Sequence, residues 1–232
     1  MYDLIIENLS VRYKNTIVLE DISFKVKKGE FLSVVGRSGC GKSTLLHSIA
    51  GLIPYTGNII KNSKIGIVFQ DHSLFPWMRV KDNILSVLSN EKDKDKKVDE
   101  YLELAGLRDK RNEYPDNLSG GQKQRVALAR ALAFDSGILL MDEPYGALDV
   151  YTKENMQTWL MQVWMKNRKT VLFVTHDIEE AVFLSDRIVV LDNKKIQHIL
   201  DIDFVRPRHE EIKFDRSFID LKRKIHSLIH RK

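Results

Sequence analysis

The sequence has a single cysteine and no long apolar run. The lone Cys40 excludes an internal disulfide and a zinc site made of cysteines alone. The longest apolar runs, such as residues 138–141, are far shorter than the roughly 20 residues of a membrane-spanning helix. The N-terminus does not follow the charged, apolar and small-residue order of a secretory signal. We therefore expect a protein of a reducing cytosol, and any membrane span must come from another chain.

The sequence also has no long block of charge of one sign. The net charge is +5 over 232 residues, and 43% apolar and 30% charged residues are typical of a soluble globular protein. The length fits one domain that carries at most a small subdomain. Basic residues at 222–224 and 231–232 could contact nucleic acid or lipid, but no aromatic residues alternate with them, which favours a solvated helix end. Residues 92–97 alternate in charge and indicate an exposed surface.

Strand and helix patterns alternate along most of the chain. Strands are predicted at 3–9, 17–26, 31–35, 138–141, 170–175 and 187–191, with a further pair of strands within 59–69. Helical patterns occupy 42–50, 80–107, 124–133, 152–166 and 178–184. This alternation predicts an α/β fold with a mostly parallel sheet and helices on its faces. Residues 201–232 have a mixed pattern.

A glycine-rich loop lies between the strand at 31–35 and the helix at 42–50. It fits the pattern of a phosphate-binding loop, in which backbone N–H groups surround an anion at the positive end of a helix dipole. Lys42 can reach the β- and γ-phosphates, and the Ser43 hydroxyl can ligand Mg²⁺. The loop therefore predicts a Mg-ATP site. Its candidate residues are Gly36, Arg37, Ser38, Gly39, Cys40, Gly41, Lys42, Ser43 and Thr44.

Two acidic residues follow the apolar strand at 138–141. In open α/β sheets, ligands bind at the carboxyl ends of the strands. Asp142 is placed to hold Mg²⁺ through water, and Glu143 can polarise the attacking water. An acidic pair after a strand also commonly caps a helix, but the phosphate loop favours the catalytic interpretation.

A second glycine-rich turn, Leu118-Ser119-Gly120-Gly121-Gln122, precedes the helix at 124–133, and we call it the signature turn. Ser119 and the backbone amides of Gly120 and Gly121 can form a second anion site. The alternative is that the turn only caps the helix, because serine is a good N-cap. The chain already has one phosphate site and should not need another for the same nucleotide.

Together these motifs resemble those of ABC ATPases over roughly residues 3–208. The resemblance implies a P-loop NTPase cassette with a mostly parallel RecA-like core sheet and an N-terminal antiparallel β subdomain. It also implies one domain over 1–232, a small helical subdomain at roughly 77–130 and a C-terminal tail at roughly 207–232. In this family the signature turn serves the partner subunit. The resemblance therefore implies that two copies of the chain enclose two ATP molecules head to tail.

The same resemblance implies roles for further residues. Tyr13 matches the aromatic residue that stacks on adenine, and Gln70 matches the glutamine that contacts Mg²⁺ and water. Asp149, in Ala147-Leu148-Asp149, matches the loop that crosses the dimer interface. His176 matches the histidine that contacts the γ-phosphate. The implied catalytic residues are Lys42, Glu143 and His176, and the implied Mg²⁺ ligands are Ser43, Gln70 and Asp142.

The presence of both Glu143 and His176 implies ATP hydrolysis at both sites of a homodimer. Two alternatives remain open. One is an ATPase that acts on nucleic acid or ribosomes. The other is an assembly module that binds ATP with negligible hydrolysis. The segment between Gln70 and Ser119 is too short for the coiled-coil arms of DNA-repair members, and we expect no nucleic-acid partner.

Finer features resemble one group of importers. Ser73-Leu74-Phe75-Pro76-Trp77, the 142–149 segment and Arg206-Pro207-Arg208 resemble importers of nitrate, sulfonates and taurine, a group that also serves uptake of thiamine-pyrimidine precursors. A single cassette without fused membrane spans implies a subunit that docks on permease chains at the inner face of the cell membrane. A solute-binding protein is then an indirect partner. Because the cassette does not touch the solute, its sequence does not identify that solute.

The residues after 208 have the pattern of an amphipathic helix. Its apolar face comprises Phe218, Leu221, Ile225, Leu228 and Ile229. We expect this face to pack on the core or on the partner subunit, and contact with a membrane surface is the lesser alternative.

Cys40 is expected to be reactive. It lies beside Lys42 and the start of a helix, a setting that lowers the pKa of a thiol. We expect alkylation of this thiol to inactivate the protein and ATP to protect it.

Overall fold

The computed structural model describes residues 1–71, 73–88, 93–146 and 148–229. The strands are β1 (Tyr2–Tyr13), β2 (Thr16–Lys27), β3 (Phe31–Val35), β4 (Thr56–Lys61), β5 (Ile65–Val68), β6 (Ile138–Asp142), β7 (Thr170–Thr175), β8 (Arg187–Asp192) and β9 (Lys195–Asp201). The helices are α1 (Lys42–Ala50), α2 (Val80–Leu85), α3 (Lys94–Ala105), α4 (Gly120–Ala133), α5 (Val150–Asn167), α6 (Ile178–Leu184) and α7 (Arg216–Ile229).

The larger sheet has six strands in the order β5-β6-β7-β3-β8-β9. Its first five strands are parallel, and only β9 runs antiparallel to its neighbour β8. Every residue of β3, β6 and β7 is buried, as expected for central strands of a parallel sheet covered on both faces. The predicted α/β fold with a mostly parallel core sheet is therefore confirmed.

Side chains alternate between the two faces of this sheet and enter two separate cores. Phe31 and Val35 of β3 pack with α4, α5, α6 and α7 in one core. Leu32 and Val34 of β3 pack in the other core with α1 and with the antiparallel sheet β2-β1-β4. Helices α2, α3 and α4 meet in a third apolar cluster that includes Val80, Leu102 and Val126.

Two secondary-structure expectations were wrong or incomplete. The strands predicted within 59–69 do not pair with each other, because β4 joins β1 in the small sheet and β5 joins β6 in the large one. Strand β9 was not predicted, since its residues are mostly exposed or half-buried and give no apolar alternation. Among the described residues, no helix is both long enough and apolar enough to cross a bilayer.

The C-terminal helix α7 packs on the protein core. Phe218, Ile225 and Ile229 are buried, and Leu221 and Leu228 are partly buried against the same core. On its polar side, Lys222 pairs with Glu179 of α6 at 2.5 Å. The expectation that the apolar face of this helix packs on the core is confirmed. The basic residues Arg231 and Lys232, and Lys92 of the alternating charged stretch, lie outside the described residues.

Candidate functional site

The predicted catalytic residues meet at one edge of the large sheet. Strands β3, β6 and β7 are neighbours and parallel, so their carboxyl ends lie side by side. The phosphate loop follows β3, Asp142 and Glu143 stand at the end of β6, and His176 follows β7. This edge is where open parallel sheets bind ligands.

The phosphate loop is closed around the side chain of Lys42. The Lys42 ammonium is buried and donates hydrogen bonds to the carbonyl oxygens of Gly36 at 3.0 Å and Arg37 at 3.2 Å. A Cβ at Gly36 would lie 2.1 Å from the carbonyl oxygen of Leu191, so only glycine fits there. Gly41 precedes α1 with a φ of 107°, a conformation that side-chain-bearing residues rarely adopt.

Residues 37–40 of the loop line a cavity of about 420 Å³. Its other walls are residues 16–18 and 192–194, which flank the loop on either side. A cavity of this size is in the range of small-molecule sites. Tyr13 does not line it; this residue ends β1 with 47% of its surface exposed.

Ser43 and Asp142 form a direct hydrogen bond. The Ser43 hydroxyl donates to Asp142 Oδ1 at 2.9 Å, which joins the start of α1 to the end of β6. Burial raises the pKa of Asp142 above its ordinary value, and the bond from Ser43 and the charge of Lys42 only partly oppose this. A bound cation would relieve the cost of that buried charge. The hydroxyl and carboxylate oxygens suit Mg²⁺, which takes few protein ligands and keeps several waters.

Gln70, the third predicted Mg²⁺ ligand, is exposed and lies beside the chain that follows Glu143. A Cβ at Gly146 would come 3.3 Å from Gln70 Nε2, so the glycine leaves room for the amide. No cluster of three or more histidine, cysteine, aspartate or glutamate side chains that could hold a metal occurs within the described ranges. Of the three predicted ligands, Ser43 and Asp142 are joined by a hydrogen bond.

Glu143 contacts both of the other predicted catalytic residues. Its Oε2 lies 2.8 Å from Nδ1 of His176, and its Oε1 lies 3.9 Å from Nζ of Lys42. Its backbone is left-handed, with a φ of 42°, and its N–H donates to the carbonyl of Val174 in β7 at 2.9 Å. This uncommon conformation for a non-glycine residue turns the chain at the end of β6, directly beside the phosphate loop.

The signature turn caps helix α4 and lies apart from the phosphate loop. The backbone N–H of Gln122 donates to Ser119 Oγ at 3.3 Å, and the N–H of Ser119 donates to Gln122 Oε1 at 2.9 Å. These two reciprocal hydrogen bonds form a capping box, so the turn does cap helix α4. The turn lines a different cavity, with Arg125 and Thr152, and no hydrogen bond or ion pair of the described chain joins it to the phosphate loop.

Asp149 is the N-cap of helix α5. Its carboxylate accepts a hydrogen bond from the N–H of Thr152 at 3.0 Å. Hydrogen bonds from the side chain and the backbone of Thr152 hold the pKa of Asp149 below its ordinary value. The next two residues, Val150 and Tyr151, are 74% and 76% exposed. This surface turn is thus apolar and projects from the molecule. Ala147, the first residue of the predicted Ala-Leu-Asp motif, lies outside the described residues.

The expected low pKa of Cys40 is wrong. Burial raises the pKa of its thiol, and the charge and backbone N–H of Lys42 oppose that effect without reversing it. The charged neighbour is visible in the sequence, whereas the loss of solvent around the thiol depends on how the loop folds against β2.

The sequence interpretation missed two other polar residues near the site. His47 lies four residues after Ser43, and its Nε2 is 3.6 Å from Asp142 Oδ2. This spacing places both residues on one face of α1 and was a usable signal. Lys153 of α5 reaches Asp177 and Glu180, next to His176, and no motif marks it.

Comparison with known proteins adds a family profile, relatives and solved structures. The profile described as "ABC transporter" matches residues 19–146. An aliphatic sulfonates import ATP-binding protein from Bacillus cereus is 44% identical, over 90% of this chain and 86% of its own length. One of the same description from Bacillus licheniformis is 46% identical, over 83% of this chain and 80% of its own length.

Solved structures agree with these relatives. One is a dimeric post-hydrolysis state of an ATP-binding cassette bound to ADP and phosphate, at 33% identity and a TM-score of 0.76, covering 87% of this chain and 100% of that one. Another is cbiO1 from Clostridium perfringens, described as part of an ABC transporter complex, at 27% identity and a TM-score of 0.81, covering 97% of this chain and 98% of that one.

Proposed function

The chain belongs to the ABC transporter family and is an ATPase of that family, and we propose that it is the energising subunit of an importer. The observation that carries this proposal is the cluster of Lys42, Glu143 and His176 beside the bonded pair Ser43 and Asp142. An ATPase needs groups that hold the γ-phosphate and a group that orients water, and this cluster contains both kinds.

Each residue of the cluster has a distinct role in the proposed reaction. Glu143 orients the attacking water and accepts its proton, which is general-base chemistry. Lys42 and His176 hold the γ-phosphate oxygens and stabilise the charge that develops on them. The backbone N–H groups of the phosphate loop bind the other phosphates. Because the groups are held before the reaction begins, the rate gain comes mainly from positioning.

Mg²⁺ is the second proposed ligand of the site. Ser43 and Asp142 would hold it, with Gln70 approaching from the loop after β5. When bound, Mg²⁺ neutralises charge on the β- and γ-phosphates. We also assign adenine stacking to Tyr13, whose exposed ring is free of core packing.

We propose that a second copy of the chain completes each ATP site. The signature turn and the phosphate loop line separate cavities in one chain, so a nucleotide on the loop leaves the signature turn unused. A head-to-tail dimer would bring Ser119, Gly120, Gly121 and Gln122 of one copy over the nucleotide of the other. Asp149 and the exposed residues after it would lie at that interface. The dimeric state of the solved cassette named above supports this arrangement.

We propose that the permease docks on the helical part of the chain, roughly residues 77–130. Trp77 at the start of this part is 71% exposed, and its ring lies 5.5 Å from that of Phe75. Arg130 of α4 lies over the Phe75 ring at 5.5 Å, so the aromatic pair is attached to the helix that begins at the signature turn. A permease contact on this pair would therefore act on α4, whose signature turn lies over the nucleotide of the partner in the proposed dimer.

The proposed solute is small and belongs to the sulfonate, taurine, nitrate or pyrimidine-precursor class. The names of the Bacillus relatives support the sulfonate class most directly. On this proposal the chain is peripheral to the cytoplasmic face of the membrane, and a solute-binding protein delivers the solute to the permease. None of the relatives named above is described as acting on nucleic acid or ribosomes.

The decisive experiment is ATP turnover by the chain reconstituted with its permease. We expect turnover to require Mg²⁺ and to rise when the loaded solute-binding protein is added. Aliphatic sulfonate, taurine, nitrate and a pyrimidine precursor would be compared as solutes. Absence of turnover by the intact complex would overturn the ATP-driven importer, and stimulation by nucleic acid or ribosomes instead would favour the alternative.

A further inference from the structure

One lysine joins the helix that begins at Asp149 to the helix that follows His176. The ammonium of Lys153, in the first turns of α5, lies 2.5 Å from Asp177 Oδ2 and 2.7 Å from Glu180 Oε1. Glu180 is buried, with 4% of its surface exposed. The two carboxylates belong to the N-cap and the first turn of α6. Lys153 therefore fixes the start of α6 against α5.

The residues on both sides of His176 are held by the same group of side chains. The Thr175 hydroxyl donates to Glu180 Oε2 at 2.5 Å and accepts from the N–H of Asp177 at 3.0 Å. Asp177 Oδ1 in turn accepts from the N–H of Glu179 at 2.8 Å. The backbone of His176 is thus fixed at both ends, while its imidazole is 60% exposed and reaches Glu143.

Lys153 is also bonded directly to the turn at Asp149. Its backbone N–H donates to the carbonyl oxygen of Asp149 at 2.9 Å. A single residue therefore touches the exposed turn of residues 149–151 through its backbone and the His176 segment through its side chain. Within the described residues, Lys153 thus provides a bonded route between the two.

The charges of Lys153 and Asp177 are suited to a permanent contact. Burial by itself would lower the pKa of Lys153, but the hydrogen bonds and charges of Asp177 and Glu180 outweigh it and raise that pKa. Burial by itself would raise the pKa of Asp177, but the hydrogen bond and charge of Lys153 and the bonds from the α6 backbone outweigh it. The pKa of Asp177 is therefore below its ordinary value. The lysine and this aspartate therefore remain charged, and the contact persists, at neutral pH.

We propose that Lys153 is a positioning residue for His176, which sets the imidazole relative to the turn at Asp149. This inference rests on the proposed function, in which His176 contacts the γ-phosphate and Asp149 faces the second copy. Dimer contact at residues 149–151 then determines where the imidazole lies. Lys153 itself touches neither nucleotide nor water in this scheme.

The test compares Lys153→Met with Lys153→Arg in the complete complex. Removing the ammonium frees the start of α6, and displacements of about 1 Å can cost on the order of 100-fold in rate. We expect Lys153→Met to lower kcat by roughly 10- to 100-fold with KM for ATP unchanged. We expect Lys153→Arg to retain most of the wild-type kcat. The matched control is Lys166→Met, an exposed lysine in the last turn of the same helix. An unchanged kcat in Lys153→Met would overturn the proposal.

Loss of stability is separated from loss of positioning by a second variant. Lys153→Met alone leaves the buried Glu180 without its charged partner, which destabilises the fold. Lys153→Met with Glu180→Gln removes both charges and still offers an acceptor to Thr175. We expect this double variant to regain stability against urea but not kcat. Recovery of both together would show that Lys153 only stabilises the fold, and would overturn the positioning role.

Two readouts address His176 itself. In a His176→Ala background, we expect Lys153→Met to have no further effect on kcat, because both changes act through one imidazole. In nitrogen-15 histidine spectra, we expect the His176 signal, assigned with His176→Ala, to shift in Lys153→Met but not in Lys166→Met. A full additional loss of rate, or an unmoved signal, would refute the inference. A wild-type complex without turnover would instead refute the proposed function, since the spectra need no activity.

Discussion

His176 and Glu143 bind each other through Nδ1 and Oε2 at 2.8 Å, although 33 residues separate them in the chain. The histidine side chain is 60% exposed and the glutamate side chain is 20% exposed. The pair therefore has one accessible member and one largely enclosed member. In the proposed reaction the enclosed carboxylate orients the water, and the accessible imidazole reaches the γ-phosphate.

Glu143→Gln should abolish turnover and preserve nucleotide binding. The amide can keep the contact with His176 but is not a base, so we expect kcat to fall by about 10²- to 10⁴-fold. ATP that is bound and not cleaved should hold two copies together, and light scattering after gel filtration with Mg-ATP should give a dimer. Glu100→Gln, an exposed glutamate of α3, is the matched control. A monomeric Glu143→Gln peak under these conditions would contradict the two-chain site.

Asp142→Asn should weaken the response to Mg²⁺ without harming the fold. If Asp142 holds the metal through water, the Mg²⁺ concentration for half-maximal turnover should rise by about 10- to 100-fold. Burial raises the pKa of Asp142, which means that its charged form is disfavoured in the folded protein. We therefore expect the neutral asparagine to unfold at the same or a higher urea concentration than wild type. An unchanged Mg²⁺ titration would argue against this ligand.

Mixing two inactive variants should restore activity if each site uses two chains. Lys42→Ala damages the phosphate loop, and Ser119→Glu places a negative charge at the signature turn. In a mixed dimer, both defects fall in one site and the other site is intact. We expect the mixture to hydrolyse ATP well above either variant alone. Activity no higher than the mean of the two separate preparations would mean that each chain has a complete site.

Alkylation of Cys40 should be slow and should need alkaline conditions. Burial raises the pKa of the thiol, so less thiolate, the reactive form, exists at a given pH than in a free peptide. We expect the pH at which the alkylation rate is half-maximal to be higher for Cys40 than for the cysteine of an unstructured peptide. ATP should slow the reaction further, because the thiol belongs to the phosphate loop. A midpoint below that of the peptide would contradict the effect of burial.

Phe218→Ala should destabilise the protein far more than Phe214→Ala. Phe218 of α7 is fully buried, whereas Phe214, four residues earlier, is 82% exposed. We expect the first change to lower the free energy of unfolding by about 3–5 kcal/mol and the second by less than about 0.5 kcal/mol. Urea denaturation followed by tryptophan fluorescence measures both. Equal midpoints would mean that α7 does not pack on the core in solution.

Local patterns were sufficient for the elements of the phosphate site. The apolar run at 31–35, the glycines after it and the helix from Lys42 all depend on neighbouring residues, and each lies where it was predicted. The same holds for the strand that ends at Asp142. Strand pairing was not accessible in this way. The strands β4 and β5 are adjacent in sequence but belong to different sheets, and no local signal records which partner each one has.

The environment of the site residues was harder to predict than their identity. The sequence shows Lys42 beside Cys40 but not the burial that outweighs it. It also gives no sign that Lys153 and Glu180 meet, because their contact depends on how α5 and α6 pack. Motifs fix the spacing of residues along the chain, whereas solvent access and contacts between helices result from the completed packing.

The position of β3 in the centre of the large sheet has a consequence for synthesis of the chain. Its two neighbours are β7 and β8, which begin at residues 170 and 187. While the ribosome makes residues 36 to 169, the strand that carries the phosphate loop has no hydrogen-bonded partner. Such long-range pairing is slow and leaves apolar edges exposed. A nascent chain therefore cannot assemble its nucleotide site until most of it has been translated, and premature termination before β8 yields a product open to aggregation and proteolysis.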